Sequence, residues 1–231
     1  MMGESLKAVV FDLDGTLIDS APDIHAVTNR LLQQDGLAPL SLDEVRGFIG
    51  RGLPHLVDRI IAARPDADAT RDERHTLLLD RFAGAYEAAV DLTRTYPGVA
   101  DALQALKDCG LGLGLCTNKP MRPCEAILRH LGLLERFDVI IAGDSQPERK
   151  PHPAPLRAAL GRLGVRPEEA VLVGDSDIDA ETAAACGVRF VFHVEGYCNG
   201  TLPEPAPVIR FSSFSQLPGL LRELRHRDAA E

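Results

Sequence analysis

Two pairs of aspartates are spaced so that their carboxylates could bind a cation and one of them could attack an electrophilic phosphorus. Asp12 and Asp14 are separated by one residue and followed by a glycine, while Asp175 and Asp179 belong to the sequence Gly-Asp-Ser-Asp-Ile-Asp. An aspartate near its reference pKa of about 3.9 is ionised at neutral pH, so it needs no activating base to act as a nucleophile. A second aspartate two residues on can protonate a leaving oxygen and then deprotonate water. The first pair is therefore a candidate nucleophile and general acid/base.

A hydroxyl, an amide and an ammonium group are candidates for the same chemistry. Thr117 and Asn118 follow an apolar run and precede a helix that is predicted to begin near Pro120, because proline favours the first helical turn. A hydroxyl and the N–H groups of a helix N-terminus can bind phosphoryl oxygens. Lys150 can neutralise charge on a nucleophile and on a phosphoryl group. We therefore expect Thr117, Asn118 and Lys150 to bind substrate, with a catalytic contribution from Lys150.

Short apolar runs position these residues. Such runs end just before Asp12, Thr117 and Asp175, and two more occupy 139–141 and 188–194. Nearly continuous apolar runs suit strands covered on both faces, and helical patterns that close at glycine separate the later runs. The alternation predicts an α/β fold with a doubly wound, Rossmann-like parallel sheet. Because ligands bind beyond the carboxyl ends of such strands, the polar residues should meet in one crevice.

The charge of that crevice predicts a bound cation. Two unit charges about 4 Å apart repel by roughly 4 kcal/mol at an effective dielectric of ~20. Three or four carboxylates cannot all stay ionised with Lys150 as their only compensation. Hard oxygen ligands select a hard divalent ion, and Mg²⁺ tends to combine one or two carboxylates with substrate phosphate and water. We therefore expect a Mg²⁺-dependent phosphate site.

One stretch breaks the alternation of strands and helices. Between the first strand and Tyr96 only helical patterns occur, and capping boxes beginning at Ser41 and Thr70 mark two of the helix starts. We predict a small all-helical domain at residues 17–91, here called the helical insert. It interrupts an α/β catalytic core formed by residues 1–16 and 92–231.

These motifs resemble the four motifs of the haloacid dehalogenase-like hydrolase superfamily. The matching segments are Phe-Asp-Leu-Asp-Gly-Thr-Leu at 11–17, Thr-Asn at 117–118, Lys-Pro at 150–151 and Gly-Asp-Ser-Asp-Ile-Asp at 174–179. The resemblance covers essentially the whole chain, and the helical insert looks like the C1 cap that closes over the active site in this superfamily.

The resemblance also implies a role for each motif residue. Asp12 would be the nucleophile and a metal ligand, and Asp14 would be the acid/base that also binds the metal through its backbone carbonyl. Thr117 and Lys150 would hold phosphate. Asp175 would bind the metal directly, with Asp179 acting from behind the direct ligands.

Three segments narrow the resemblance within the superfamily. Residues 96–99, 117–120 and 149–156 are most similar to phosphatases that hydrolyse 2-phosphoglycolate to glycolate and phosphate through an aspartyl-phosphate, which implies a place in glycolate formation. Phosphatases acting on sugar phosphates, nucleotides or pyrophosphate stay open as alternatives, because the core motifs bind phosphate while the cap recognises the rest.

Arg51 is the candidate substrate-binding residue of the helical insert. It stands between two glycines in Ile-Gly-Arg-Gly-Leu at 49–53, a loop able to close over a substrate. Its guanidinium could pair bidentately with the carboxylate of 2-phosphoglycolate. The alternative is a solvated arginine in a plain helix–helix turn.

Composition limits the partners. The 231 residues include 25 Lys and Arg against 34 Asp and Glu, a net charge of −9, and no basic run, so the chain is poorly suited to nucleic acid or an anionic membrane. No apolar stretch approaches the ~18 residues of a membrane span, and no signal peptide is visible. Five cysteines without a CxxC pair fit a reducing cytoplasm. We expect a cytoplasmic monomer or homodimer that acts on a small phosphomonoester.

A phospho-receiver or phosphate-sensing module is the alternative from another functional class. Receivers also combine an acidic pair, a threonine and a lysine on a doubly wound sheet. They lack a long helical insert, and their phosphorylated aspartate follows a middle strand instead of the first. Multiple turnover would distinguish an enzyme from such a module.

Overall fold

A six-stranded parallel sheet forms the centre of the computed structural model, which describes residues 6–64, 71–198 and 201–228. The sheet has the order β5-β4-β1-β6-β7-β8. It confirms the predicted doubly wound α/β fold. The described strands are β1 Ala8–Phe11, β2 Ile18–Asp19, β3 Arg94–Thr95, β4 Gly112–Cys116, β5 Val139–Ile141, β6 Ala170–Gly174, β7 Arg189–His193 and β8 Ile209–Phe211.

The register of the central strands aligns the polar residues that follow them. Phe11, the last residue of β1, pairs with Leu115 of β4 on one side and Val173 of β6 on the other. All four residues of β1 and all five of β6 are buried, as expected for strands covered on both faces. The chain therefore leaves β1, β4 and β6 at the same edge, as the sequence predicts.

Helices cover both faces of the sheet. Helices α5, α6 and α9 pack on one face and α7 and α8 on the other, each layer over its own hydrophobic cluster. Among the described residues, no helix combines the length and the apolar character needed to cross a bilayer. The described helices are α1 Ala21–Gln34, α2 Leu42–Arg46, α3 Leu53–Ala63, α4 Arg71–Tyr86, α5 Val99–Asp108, α6 Met121–His130, α7 Ala154–Leu163, α8 Asp177–Cys186 and α9 Leu217–Asp228, with 3-10 turns at Leu134–Arg136 and Pro167–Glu169.

Helices α1 to α4 of the helical insert enclose a separate hydrophobic cluster that includes Ile24, Val57 and Phe82. The capping box predicted at Ser41 is present: the Glu44 N–H donates to the Ser41 hydroxyl, and the Glu44 carboxylate accepts from the Ser41 N–H at 2.7 Å. The box predicted at Thr70 lies outside the described residues.

The prediction of helices alone between β1 and Tyr96 is wrong. Strands β2 and β3 pair antiparallel, Ile18 with Thr95, where the chain enters and leaves the helical insert. Just inside this pair, the buried carboxylate of Asp23 accepts hydrogen bonds from the N–H of Thr93 at 2.7 Å and from its hydroxyl at 2.6 Å. Strands of two residues are too short to leave a periodic signal in the sequence.

Candidate active site

Three buried aspartates meet at the carboxyl-end edge of the sheet. Asp12 follows β1, Asp175 follows β6, and Asp179 lies in the first turn of α8. One carboxylate oxygen of each lies within 4.8 Å of the corresponding oxygens of the other two. All the donors are hard oxygens of the kind that bind Mg²⁺. We call these three residues the aspartate cluster.

The beginning of α8 explains how Asp179 reaches the cluster. Ser176 caps the helix, and its hydroxyl donates to Asp179 Oδ2 at 2.6 Å while the Asp179 N–H faces the same hydroxyl. This reciprocal pairing is a common helix-start motif. The N–H of Asp175 also donates to Asp179 Oδ2, at 3.2 Å. The Asp179 carboxylate is thereby held against the end of β6.

A glycine lets the loop after β1 approach Asp175. Gly15 has a φ of +87°, and a Cβ at this position would lie 2.3 Å from Asp175 Oδ2. The Asp175 carboxylate accepts hydrogen bonds from the hydroxyl of Thr16 at 2.6 Å and from the N–H of Tyr197 at 2.7 Å. These contacts hold Asp175 beside the loop that carries Asp12.

Lys150 compensates part of the charge of the aspartate cluster. Its Nζ lies 2.8 Å from Asp12 Oδ1 and 2.6 Å from Asp179 Oδ1, and the residue is 4% exposed. Asn118 fixes this loop, because its side chain accepts from the N–H of Lys150 and donates to its carbonyl, both at 2.9 Å. The structure therefore brings Lys150 and Asn118 together at the site.

Burial makes three negative charges costly at this place. It raises the pKa of Asp12 to about 7, although Lys150 acts in the opposite direction. Burial and the neighbouring Asp179 also raise the pKa of Asp175 well above its ordinary value. A divalent cation between these carboxylates would remove the cost and keep them ionised. The residues present therefore fit a bound metal ion.

Asp14 lies outside the aspartate cluster and has different partners. Its Oδ1 accepts hydrogen bonds from the hydroxyl of Ser20 at 2.5 Å and from Lys119 Nζ at 3.1 Å. Together with Asp12 and Thr117 it lines a cleft beneath the helical insert, which we call the insert cleft. The first aspartate pair thus spans the cluster and the cleft.

Thr117 and Asn118 form the core side of the same cleft. Both are buried, and both lie between the end of β4 and the start of α6. The Thr117 hydroxyl accepts from the N–H of Lys119 at 3.2 Å. The predicted phosphate-binding pair is therefore adjacent to Asp12.

Arg51 lies at the mouth of the site. It borders a space also lined by Asp12 and Asp14, and its guanidinium lies 3.2 Å from Asp177 Oδ2. Both side chains are about half exposed, at 45% and 47%. This contact links the helical insert to the first turn of α8. The role of Arg51 in binding a substrate carboxylate stays a prediction.

Lys119 and Tyr86 also line the insert cleft, and the sequence alone predicts no role for either. Lys119 Nζ donates to the Tyr86 hydroxyl and lies 4.1 Å from the centre of the ring. The position of Lys119 two residues after Thr117 was an available signal. The pairing with Tyr86, 33 residues away, had none.

Comparison with known sequences agrees with this geometry. Residues 6–187 match the family model of the haloacid dehalogenase-like hydrolases. A protein of Cereibacter sphaeroides named phosphoglycolate phosphatase is 50% identical over 222 residues, which cover 95% of this chain and 99% of the relative. A phosphoglycolate phosphatase of Rhodobacter capsulatus is 43% identical, with 93% and 96% covered.

Solved structures show the same architecture. A crystal structure of a predicted phosphoglycolate phosphatase from Haemophilus somnus superimposes with a TM-score of 0.87 and 32% identity, covering 93% of this chain and 97% of that one. CbbY from Rhodobacter sphaeroides, solved in complex with phosphate, gives a TM-score of 0.75 and 26% identity over 92% and 96% of the chains. The chain belongs to the haloacid dehalogenase-like hydrolase family, as its four motifs predict.

Proposed function

We propose that the protein is a Mg²⁺-dependent phosphatase that hydrolyses 2-phosphoglycolate to glycolate and phosphate through an aspartyl-phosphate. The observation that carries this proposal is the buried aspartate cluster, with Lys150 Nζ 2.8 Å from Asp12 and 2.6 Å from Asp179. The relatives named phosphoglycolate phosphatase support the choice of substrate. CbbY, whose structures contain phosphate or a bisphosphate, supports small phosphate esters as the wider class.

Asp12 is the proposed nucleophile and Asp14 the proposed acid/base. An Asp12 oxygen attacks phosphorus, the bond from phosphorus to the glycolate oxygen breaks, and Asp14 gives that oxygen a proton. Water then attacks the aspartyl-phosphate and gives its proton to Asp14, while the bond from phosphorus to Asp12 breaks. Phosphate leaves, and both aspartates return to their initial states.

The proposed metal ligands are the carboxylates of Asp12 and Asp175 and the backbone carbonyl of Asp14. Mg²⁺ would supply positive charge that keeps the carboxylates ionised and offsets the charge of the phosphoryl group. Asp179 is already engaged through both carboxylate oxygens, by Lys150 at 2.6 Å and by the Asp175 N–H at 3.2 Å. These hydrogen bonds support a role for Asp179 in orienting Lys150 and Asp175 instead of binding the metal directly.

Thr117, Asn118 and Lys150 are proposed to hold the phosphoryl oxygens. The first two lie just before α6, for which Pro120 is the N-cap, so the Thr117 hydroxyl and the backbone of Asn118 are the groups proposed to face an anion. The Met121 N–H at the helix start is already bound to Asp144, at 2.9 Å. Lys150 would neutralise charge on Asp12 and on the phosphoryl group as it transfers.

The helical insert, residues 17–91, is proposed to be the cap of a core made of 1–16 and 92–231. Its separate hydrophobic cluster supports this division. The Asn118 side chain donates to the Gly50 carbonyl at 2.9 Å, and Arg51 reaches Asp177. These contacts lie over the site, which suits a cap that shields the reaction from water.

The proposed setting is glycolate formation in the cytoplasm, with the protein working as a monomer or homodimer. Cys116 and Cys124 are buried thiols that form no disulfide, which suits a reducing compartment. Burial raises the pKa of both to about 12. Such thiols are inert and pack as small apolar groups.

A panel of phosphate esters, with pyrophosphate added as an anhydride, tests the proposed function. The initial rate with Mg²⁺ is measured for 2-phosphoglycolate, sugar phosphates, nucleotides, pyrophosphate and p-nitrophenyl phosphate, and kcat/KM is compared. We expect 2-phosphoglycolate to have the highest value and EDTA to abolish turnover. A higher kcat/KM for another compound of the panel would show that this compound, and not 2-phosphoglycolate, is the preferred substrate. Release of only one equivalent of phosphate would indicate a receiver or sensor module instead of an enzyme.

A further inference from the structure

The insert cleft has apolar walls and a cationic side chain that could bind an anion, that of Lys119. Ile24, Ile49, Leu53 and Leu56 of the helical insert line one side. Among the described residues that line this cleft, Lys119 is the one with a positive charge, and it is 6% exposed. A buried ammonium in an apolar cleft is held only when anionic or polar groups surround it.

Lys150 and the proposed metal ion both serve Asp12 and the phosphoryl group, so the carboxylate of 2-phosphoglycolate needs a further cation. The substrate carries a carboxylate as well as its phosphate, and it must enter a cleft lined by Asp12 and Asp14. Lys150 is already bound to Asp12 and Asp179. A carboxylate that moves from water into the cleft loses the free energy of its hydration, and without a partner cation nothing replaces that loss. The ammonium of Lys119 can supply that compensation.

The geometry of Lys119 suits a carboxylate. In this structure Asp14 Oδ1 lies 3.1 Å from its Nζ and Asp14 Oδ2 lies 3.5 Å away, so the ammonium already binds a group of this type. The backbone N–H of Lys119 donates to the Thr117 hydroxyl at 3.2 Å. That backbone contact holds the lysine beside the proposed phosphate-binding residue Thr117. The phosphate and the carboxylate of 2-phosphoglycolate are close together, so their binding groups must be neighbours as well.

Tyr86 brings a second donor from the helical insert. Its hydroxyl accepts from Lys119 Nζ, and burial raises the pKa of this phenol above its ordinary value, so it stays neutral. A neutral phenol that accepts a hydrogen bond can still donate its own proton to a carboxylate. Lys119 from the core and Tyr86 from α4 therefore converge on one place in the cleft.

We propose that Lys119 and Tyr86 bind the carboxylate of the substrate and thereby select 2-phosphoglycolate over phosphate esters that lack one. This inference rests on the proposed function. When the substrate carboxylate binds to Lys119, it replaces the carboxylate of Asp14, which then receives a proton from water and passes it to the leaving oxygen. An ester without a carboxylate leaves Asp14 paired with Lys119.

The test compares 2-phosphoglycolate with ethyl phosphate, which has the same chain length and no carboxylate. In Lys119→Met we expect the ratio of their kcat/KM values to fall about tenfold to a hundredfold, because a charge-assisted hydrogen bond is lost. Lys119→Arg retains the charge and should retain more of the ratio. Tyr86→Phe, which keeps the ring, should lower the ratio less, mainly through KM for 2-phosphoglycolate.

Lys107→Met is the matched control, because Lys107 pairs with Asp138 at 2.9 Å and does not line the cleft. It should keep the wild-type ratio. Equal losses on both substrates in the Lys119→Met and Tyr86→Phe variants would overturn the inference, since Lys119 would then only hold Asp14. If Lys119→Met does not fold, as judged by circular dichroism, the ratio in Tyr86→Phe decides alone.

Measurements on the wild type separate this inference from the proposed function. A wild type that prefers 2-phosphoglycolate while its Lys119 and Tyr86 variants keep that preference leaves the proposed substrate intact and refutes the carboxylate contact. A wild type that hydrolyses ethyl phosphate equally well refutes the proposed substrate, and the carboxylate contact with it.

Discussion

At the scale of single residues, Asp12 must satisfy two opposing conditions if it is the nucleophile, as proposed. A nucleophilic carboxylate has to be ionised, whereas burial raises the pKa of Asp12 to about 7. Lys150, 2.8 Å away, lowers that pKa, and a metal ion would lower it further. Ionising Asp12 in this site therefore costs free energy, which binding of a cation would offset.

Replacing the proposed nucleophile should separate chemistry from folding. We expect Asp12→Asn to lower kcat by about three orders of magnitude or more, because an amide cannot form the acyl-phosphate. The substitution also removes one charge from the aspartate cluster, so the metal-free variant should unfold at a temperature no lower than the wild type. Steady-state rates and circular-dichroism melting measure both. Retention of more than a few per cent of activity would refute the covalent route.

Arg51 can be tested with substrates of different charge. We expect Arg51→Ala to raise KM for 2-phosphoglycolate several-fold more than KM for p-nitrophenyl phosphate, because the guanidinium at the mouth of the site would share with Lys119 the carboxylate that the second ester lacks. Stability should change little, since the Arg51–Asp177 pair is about half exposed. Equal changes in both KM values would show that Arg51 does not distinguish these substrates.

At the scale of secondary-structure elements, the ends of strands and the starts of helices build the site. The loop after β7 is one example, because the Tyr197 hydroxyl accepts from the N–H groups of Ser20 at 2.7 Å and Ala21 at 3.0 Å. The N–H of the same tyrosine donates to Asp175 at 2.7 Å. Tyr197 therefore connects the beginning of α1, in the helical insert, with the aspartate cluster.

Two capping boxes in this chain provide a matched pair of variants. Ser176 caps α8 and contacts Asp179, whereas Ser41 caps α2 in the helical insert, away from the aspartate cluster. We expect Ser176→Ala and Ser41→Ala each to lower the free energy of unfolding by about 0.5–2 kcal/mol through loss of the cap. Only Ser176→Ala should also lower kcat, because Asp179 would lose a 2.6 Å hydrogen bond.

Urea denaturation and steady-state kinetics on the two serine variants check this prediction. Comparable kcat values for Ser176→Ala and the wild type would show that the cap of α8 serves only the helix. A fall of kcat in both variants would show that destabilisation alone limits activity.

At the scale of the whole molecule, the charge of −9 repels anionic substrates at long range. Attraction of a phosphate ester must therefore come from cations within the site, of which Lys150 and Lys119 are buried there. Metal binding would add positive charge at the same place. Folding, metal binding and protonation are consequently linked through the aspartate cluster.

That linkage predicts how stability depends on pH. The pKa of Asp12 rises from 3.8 to about 7 on folding, so between these values the metal-free folded protein holds a proton that the unfolded chain has released. Its stability should therefore fall as pH rises from about 4 to about 7. Mg²⁺ would bind the ionised form, so we expect it to raise the melting temperature more at about pH 8 than at about pH 5.

Melting curves in EDTA and in Mg²⁺ across this pH range measure the effect. Asp12→Asn lacks the titrating group and should show a weaker pH dependence in EDTA. Equal stabilisation by Mg²⁺ at both ends of the range would contradict the linkage.

Sequence alone was sufficient for five of the six strands of the central sheet and for the residues at its edge. The runs before Asp12, Thr117 and Asp175 are local patterns, and each is long enough to indicate a buried strand. In a parallel sheet the carboxyl ends meet at one edge, so convergence of the polar residues follows from topology. The capping box at Ser41 was equally readable, because its two partners are three residues apart.

Tertiary structure decided the contacts between distant elements. The short strands β2, β3 and β8 depend on what lies beside them and leave no periodic pattern of their own. The Lys119 ammonium is placed between Asp14 and Tyr86 because the end of α4 meets the segment that follows β4. Tyr197 reaches Ser20 across 177 positions. Side-chain pairing at such separations is set by the packing of whole layers, which spacing along one chain does not encode.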